Sequence, residues 1–545
     1  MKNIFKTLIF FLFTVSAGFI IEQKEFDPNR TSTFIINTGL IDQDLRSANH
    51  PGFQWPAGSE KYAIFSAGLS VMAYINNELR SAICFYRGEL APGYIIDSSG
   101  IPVGKTDSRF KIYRVKKGDN HISNPDWYNW GNLEQFGAPY IDVNNNHHYE
   151  YLIDTPGVRG ASQTVFCCLT DAFPESHDEI DFGGGTLPVF AEYHVTAWGY
   201  DSPGLQDFHY IKWQVINKNN QSWDSTYFSI LCDPDLGEAG DDYIGCDSIR
   251  NMGYCYNGDS LDEGPSYSYG LNPPAVGIKY IRGAKLNGSN LGMTSFLYLW
   301  KAPWFGNTCE YEYVGNPLEM YKYMTGIHKD GSPCIVPNTN PPIITKKCYS
   351  GDPETHTGWT EFEGCVVNCG NNQGYHFPNP PLDKKFCMGS GSKTLKINPN
   401  DTQTIVIAQL IARGTSNLNS VTKLKQLSDI AQTFYDSGYV IGVNNVSTEI
   451  PRQYNLYQNY PNPFNPSTII KFEIPNSHFE GGKGDVKLVI YDIQGKSVET
   501  LIDKELKAGS YSADWNASNY ASGVYFYSLM IDNKLFETKK MILIK

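Results

Sequence analysis

The chain has 545 residues, 44 Lys and Arg against 57 Asp and Glu, and a formal net charge of −13. An acidic surface lacks the clustered cations that nucleic acids and anionic membranes require, so neither is an expected partner. Charged residues at 19% and aromatics at 14%, with 50 Gly and 31 Pro, exclude disorder over most of the length and suit a turn-rich β-protein of several domains better than a helical bundle.

Residues 1–18 open with Lys2 and Lys6, run through an apolar stretch from Thr7 to Val15, and close on Ser16-Ala17-Gly18. A cationic start, a short apolar core and small residues at a cleavable position make a secretory signal peptide. The run is shorter than the roughly 20 residues that span a bilayer, and no other stretch approaches that length, so no transmembrane segment is expected after cleavage.

Residues 19–440 read as a β-rich secreted region with two or more sandwich subdomains possible. Period-two text recurs at 61–88, at QTVFCCLTDAF (163–173), at 187–201 and at 401–414. Residues 208–237 read as a hairpin, with Tyr210, Lys212 and Gln214 on one face and Ile211, Trp213 and Val215 on the other. Adjacent Cys167 and Cys168 on a strand face opposite sides. Trp127-Tyr128-Asn129-Trp130 could stack on a glycan, although aromatics in β-proteins more often serve the core.

Two segments suit calcium, which takes six to eight hard oxygen ligands on a tightly curved backbone. In the first, Asp142, Asn144 and Asn146 occupy places one, three and five, the His148 carbonyl stands at seven, and Asp154 closes the shell. The helix–loop–helix calcium pattern wants Gly at the sixth place and Glu at the twelfth, which here hold His147 and Ile153, so the loop is nearer to looser aspartate-repeat loops; a surface cluster of Asx-turns fits equally. In the second, Asp233, Asp235, Asp241, Asp242 and Asp247 crowd like charges that need a cation or must fan into solvent, with a paired-carboxylate active site as the third reading. Around His177, and at Glu192 and His194, metal-capable residues lack a ligand spacing and read as turn and strand polar positions.

All 12 cysteines lie between Cys84 and Cys387, and an even number in an exported chain predicts disulfides. Their connectivity stays open. Cys365 and Cys369 alone approach a zinc spacing and have no second pair. A helix is predicted from Asn419 or Ser420, with Val421, Leu424, Leu427, Ala431 and Phe434 along one side and Gly438 as its stop. Residues 441–453 then read as a linker.

From Tyr454 the chain alternates cleanly, with Val486, Leu488 and Ile490 against Lys487, Val489 and Tyr491, as in a small antiparallel sandwich whose Pro461, Pro463 and Pro466 mark an extended edge. It contains no acid/base pair, thiol or metal cluster. YPNPFNPST, YDIQGK, GSYSADWNAS and SGVYFYSLMIDNKLFETKKMILIK closely resemble the type A C-terminal sorting domain of the type IX secretion system. The resemblance implies an immunoglobulin-like β-sandwich over 454–545 that meets the type IX machinery, and delivery to the exterior or surface of a Gram-negative bacterium of the Bacteroidetes/Chlorobi kind. DPDLGEAGDDYIGCD, YSGDPETHTGW and KKFCMGSGSKTLKINPNDTQTIVIAQLIARG resemble a recurring type of large secreted protein that carries this domain and has no assigned activity.

H-E-x-x-H, G-x-S-x-G and phosphate-cradling Gly loops are absent from the sequence. The expectation is therefore a mainly β, calcium-stabilised surface protein, leaning away from catalysis, for adhesion, glycan contact or an envelope structure. The alternative is a secreted glycoside or peptide hydrolase with a dispersed active site.

Overall fold

The computed structural model describes residues 18–46, 51–96, 100–178, 182–264, 266–300, 316–367, 374–376, 378–438, 444–447, 453–475, 483–517 and 520–544. The expected leader, apart from Gly18, lies outside them. The protein is mainly β with antiparallel sheets, as composition predicts, and divides into two compact units between Ser428 and Asp429.

The first unit is built on two large antiparallel sheets. One runs in the order Gln23–Phe26, Thr33–Ile36, Leu40–Ile41, Ser66–Ile75, Asp224–Asp233, Lys384–Gly391, Ser295–Trp300, with Glu78–Ala82 also paired to Ser66–Ile75. The other runs Tyr113–Lys116, Gln163–Thr170, Ala191–Gly199, Phe208–Asn217, Thr402–Ala412, Ala275–Arg282, Met252–Asn257, Asp242–Asp247, with Ala91–Pro92 beside Gln163–Thr170. Alternate residues of the second sheet, such as Val165, Cys167, Val195, Ile211, Trp213, Ile278 and Ile407, enter one core with Leu69, Val71, Phe228 and Ile230 of the first. Period two thus generates the sandwich, each fully buried aliphatic side chain contributing about 1.5–3 kcal/mol.

The outer faces are covered as well. Phe166 and Cys168 point away from the shared core and pack with Phe110, Trp130, Leu133 and Phe136. Helix Pro317–Thr325 buries Met320, Tyr323 and Met324, and Tyr321 meets Tyr74 and Tyr227 edge-on. A Cβ on Gly389 would collide with the Met324 carbonyl, so glycine there permits the close approach of helix and strand. Helix Asn417–Asp436 confirms the predicted periodicity, burying Val421, Leu424, Ala431 and Phe434, and Gly438 stands at φ 74° just beyond it.

Two expectations are corrected. Residues 208–237 form two strands but no hairpin: Phe208–Asn217 lies in the second sheet, Asp224–Asp233 in the first, and the chain arches across the sandwich between them. Asn217 and Trp223 fix the arch by bonding to the Ile397 carbonyl, and Trp223 is fully buried. Expected disulfides are not formed among Cys84, Cys167, Cys168, Cys232, Cys246, Cys255, Cys334, Cys348 and Cys387, which are all buried and unbridged. They fill core positions as small apolar side chains do. Cys309 and Cys369, and the side chain of Cys365, lie outside the described set.

In the second unit, two four-stranded antiparallel sheets enclose a core of Ile470, Phe472, Val486, Leu488, Ile490, Trp515, Tyr527 and Leu529. The inward set 486, 488, 490 is as the alternation predicts. Asn455–Leu456 is an edge strand, consistent with the proline-rich text after it. Asn444–Ser447, within the expected linker, pairs with Gly509–Asn516 and so belongs to this sheet.

Candidate functional site

The segment 142–154 is a loop closed at its base by the pairing of Tyr140–Ile141 with Thr155–Pro156. Asp142 accepts the amides of Asn146 at 3.2 Å and His147 at 2.8 Å, which folds the chain back over its carboxylate. Asn145 and His147 stand at φ 55° and 60°, so the sharp turn usually given to glycine is made here by His147. Asp154, buried, accepts Val143 N at 2.9 Å and Glu150 N at 2.8 Å, locking the two ends together.

These bonds bring two of the loop's side chains to the Glu150 carboxylate. The amides of Asn144 and Asn146 both reach the same Glu150 Oε2, each at 2.6 Å. Turning the Asn144 carboxamide over would present its oxygen there, while the Asn146 oxygen already accepts His148 N at 2.8 Å and Asp142 the amides of Asn146 and His147; the loop thus carries hard oxygen donors of the kind a calcium shell uses. His148 directs its ring to Glu134, 2.9 Å away, so its own contribution to such a shell is the carbonyl. Glu150 was missed in the sequence because the calcium template places its acid at the twelfth position rather than the ninth.

The second acidic run is dispersed. Asp233 joins Asp235 and the distant Asp383, their carboxylates within 4.8 Å of one another. Lys385 already stands among them, 3.3 Å from Asp233 and 2.8 Å from Asp383, and Tyr86 donates to Asp233 at 2.7 Å. Burial raises the Asp233 carboxyl and Lys385 opposes that shift. Asp242 turns inward to accept Leu236 N at 3.0 Å, and burial, with Asp241 beside it, pushes its carboxyl well up. Asp241 is raised to about 6, first by burial. Asp247 lies apart, paired with Arg250 at 3.0 Å and capping a turn through Ile249 N and Arg250 N. The structure therefore brings Asp233 and Asp235 together and sends Asp241, Asp242 and Asp247 elsewhere.

Several further buried acids are held by backbone amides and have imidazoles beside them. Glu89 accepts Ile83 N and Gly185 N at 2.7 and 2.6 Å, and Asp171 accepts Val189 N and Ala191 N at 2.7 and 2.5 Å. His177 stands between them, 3.6 Å from each, with its side chain 2% exposed. Glu192 pairs with His194 at 2.8 Å and takes Ile95 N. Burial raises the thiols of Cys84, Cys167 and Cys387, which disfavours their thiolate form. Cys334 is drawn down to about 6 by the Cys348 thiol, with His328 at 3.5 Å, but it is buried. Trp130 is a core residue and the Trp127 indole bonds the Tyr151 carbonyl at 3.1 Å, leaving Tyr128 as the exposed ring of the aromatic run.

Residues 458–545 match the family model for the secretion system C-terminal sorting domain. This module is a type IX secretion sorting domain. Carrying the sorting domain makes the protein a secreted or cell-surface type IX cargo of a Bacteroidetes bacterium that engages the type IX machinery. Among the described residues no helix is long and apolar enough to cross a membrane. No curated protein matches the chain in sequence. Among solved structures, a polysaccharide lyase aligns at 6% identity and TM-score 0.23, covering 96% of this chain and 46% of its own. The dimeric latent PorU of Porphyromonas gingivalis aligns at 10% identity and TM-score 0.15 over 65% of this chain and 26% of its own. The adhesin domain of Epf from Streptococcus pyogenes aligns at 6% and 0.13 over 64% and 79%. The chain thus spans less than half the length of the first two, and scores this low assign no fold.

Proposed function

We propose that this type IX cargo is a non-catalytic, calcium-stabilised surface protein with a binding, adhesion or envelope-structural role. The observation that carries this reading is the contrast between its two kinds of acidic site. Glu89, Asp171 and Asp233, acids with shielded surroundings that catalysis would use, are buried and bonded to backbone amides, Tyr86 or Lys385. The oxygen-bearing side chains of Asp142, Asn144, Asn146 and Glu150 share one exposed to half-buried loop, where a cation from the medium can enter. Calcium there would cross-link a loop that otherwise relies on Asx bonds and on strained backbone at His147.

Thermal unfolding of the mature chain, with calcium and with a chelator, tests this. A ligand bound only by the native state at one hundred times its dissociation constant adds about 2.7 kcal/mol. The expected result is a higher melting temperature in calcium, abolished by Asp142→Ala and by Asn144→Ala. Identical melting in both conditions would remove the calcium reading, and hydrolysis of a polysaccharide or peptide by the purified chain would overturn the non-catalytic one.

A further inference from the structure

The terminal strands of the two large sheets, Gln23–Phe26 of the first and Tyr113–Lys116 of the second, flank a cleft of about 430 Å3. Lys24, Lys111, Arg114, Lys116, Asp119 and Asp126 line it. Its volume falls in the range of roughly 300–1,000 Å3 typical of small-ligand sites. Two of its four cations are paired, Lys111 with Asp126 at 2.5 Å and Lys116 with Asp27 at 2.7 Å, so what the cleft can offer an anion comes from Arg114 and Lys24.

Both acids are committed to the free edge of the strand. Asp126 accepts Arg114 N at 2.9 Å and holds Lys111 at 2.5 Å; Asp119 accepts Lys116 N at 2.8 Å and the Asn124 amide at 2.7 Å. Along with Glu22, which takes Ile112 N at 3.1 Å, they satisfy the outward amides that would otherwise invite another strand. The edge is therefore closed to β-pairing, and its long cationic side chains are what it presents.

Two of those cations are under-used. Arg114 gives one guanidinium bond, from Nη1 to the Glu25 carbonyl at 3.0 Å, and makes no ion pair among the described residues. Lys24 has Glu22 as its carboxylate neighbour at 3.8 Å, beyond hydrogen-bond distance. A planar guanidinium with unused donors, beside an ammonium, is matched by a planar or tetrahedral oxyanion. Apart from the ring of Pro125 the lining offers no apolar side chain, so an acyl chain finds nothing to pack on and the cleft suits a hydrophilic anion.

We propose that this cleft binds an acidic saccharide, a sugar bearing carboxylate or sulfate groups, with Arg114 gripping the oxyanion and Lys24 supplying the second charge. The inference deepens the binding role proposed above and rests on it.

Isothermal titration of the mature protein at low ionic strength tests it, with oligogalacturonate as the carboxylate probe, chondroitin sulfate oligosaccharide as the sulfate probe and maltohexaose as the neutral control. Binding of at least one acidic probe and not of maltohexaose is expected, weakening as salt screens the cleft. Arg114→Gln should weaken binding about tenfold, Arg114→Lys by less, and Lys24→Glu should abolish it. Lys24 sits at a half-exposed edge, so its reversal keeps the test open should Arg114→Gln fail to fold. Absence of binding by both acidic probes, equal binding of maltohexaose, or acidic binding that folded Arg114→Lys and Lys24→Glu leave unchanged would overturn the proposal. Calcium stabilisation of the same samples separates the two readings: a retained calcium shift without saccharide binding removes this inference alone.

Discussion

His209 and Asp42 share one partner, the Gln409 side chain. Gln409 Oε1 lies 2.7 Å from His209 Nε2 and its amide donates to Asp42 at 2.5 Å, while Thr33 donates to the other Asp42 oxygen at 2.6 Å. This chain crosses the interior of the sandwich, from the second sheet to the turn after Leu40–Ile41, and all three residues are fully buried. Burial lifts Asp42 from 3.8 to about 7 and lowers His209 from 6.5 to about 4, so in the fold each is held neutral over the same range.

The two shifts act on stability with opposite sign. Asp42, raised in the fold, contributes stability that is complete below about 4 and is lost as pH rises through about 7. His209, lowered in the fold, contributes stability that is complete above 6.5 and is lost as pH falls through about 4. Between about 4 and 6.5 the slopes, each at most about 1.4 kcal/mol per pH unit, cancel. Asp42→Asn, which mimics the neutral acid, should uncover the histidine slope, so that stability rises with pH in that window. Urea unfolding of both proteins at several pH values measures it, and parallel curves would refute the linkage.

His147 makes a glycine's turn with a side chain that is 93% exposed. The left-handed conformation costs an L-residue about 1–2 kcal/mol, and glycine returns part of that through its freer unfolded state. His147→Gly should therefore stabilise the chain by about 0.5–1 kcal/mol, read as a higher melting temperature. The gain should be present with and without calcium, because it comes from the backbone. A lower melting temperature would mean that the imidazole, 3.7 Å from Asp142, contributes more than the strain costs.

What the sequence made legible follows from short-range periodicity. Cys167 and Cys168 go to opposite faces of one strand because period two leaves no other choice, and the helix over 417–436 follows from its spaced apolar side. The closure of the Asp142 loop was legible because the residues it bonds lie within thirteen positions. The fate of Asp233 was not, since Tyr86, Asp383 and Lys385 reach it from well over a hundred residues away. The same limit hid the arch between Phe208–Asn217 and Asp224–Asp233, whose anchor, Ile397, is equally remote. Parity of cysteines misled because a buried thiol packs as well as a bridged one.

Removal of residues 454–545 deletes the sorting domain while leaving the first unit's sheets intact. The truncated chain should then accumulate inside the outer membrane, detected by fractionation and immunoblotting. Recovery of the same amount from the medium or cell surface would show that another segment directs export.

Lys384 and Glu361 form an ion pair in which both side chains are fully buried. Glu361 also accepts Ile244 N at 2.7 Å and the Asn379 amide at 3.0 Å, and Lys384 donates to the Pro380 carbonyl at 3.0 Å. These bonds tie the loop carrying Glu361 to the strands Asp242–Asp247 and Lys384–Gly391. Glu361→Gln keeps the shape but leaves an ammonium in the interior without its counter-charge, a loss expected to cost about 3–5 kcal/mol. Lys384→Met alone should cost a similar amount by stranding the carboxylate. The double variant Glu361→Gln with Lys384→Met removes both charges and should recover a large part of that loss, since the desolvation penalty disappears with the attraction. Denaturant unfolding of the four proteins closes the cycle, and additive losses in the double variant would show that the two side chains do not act as a pair.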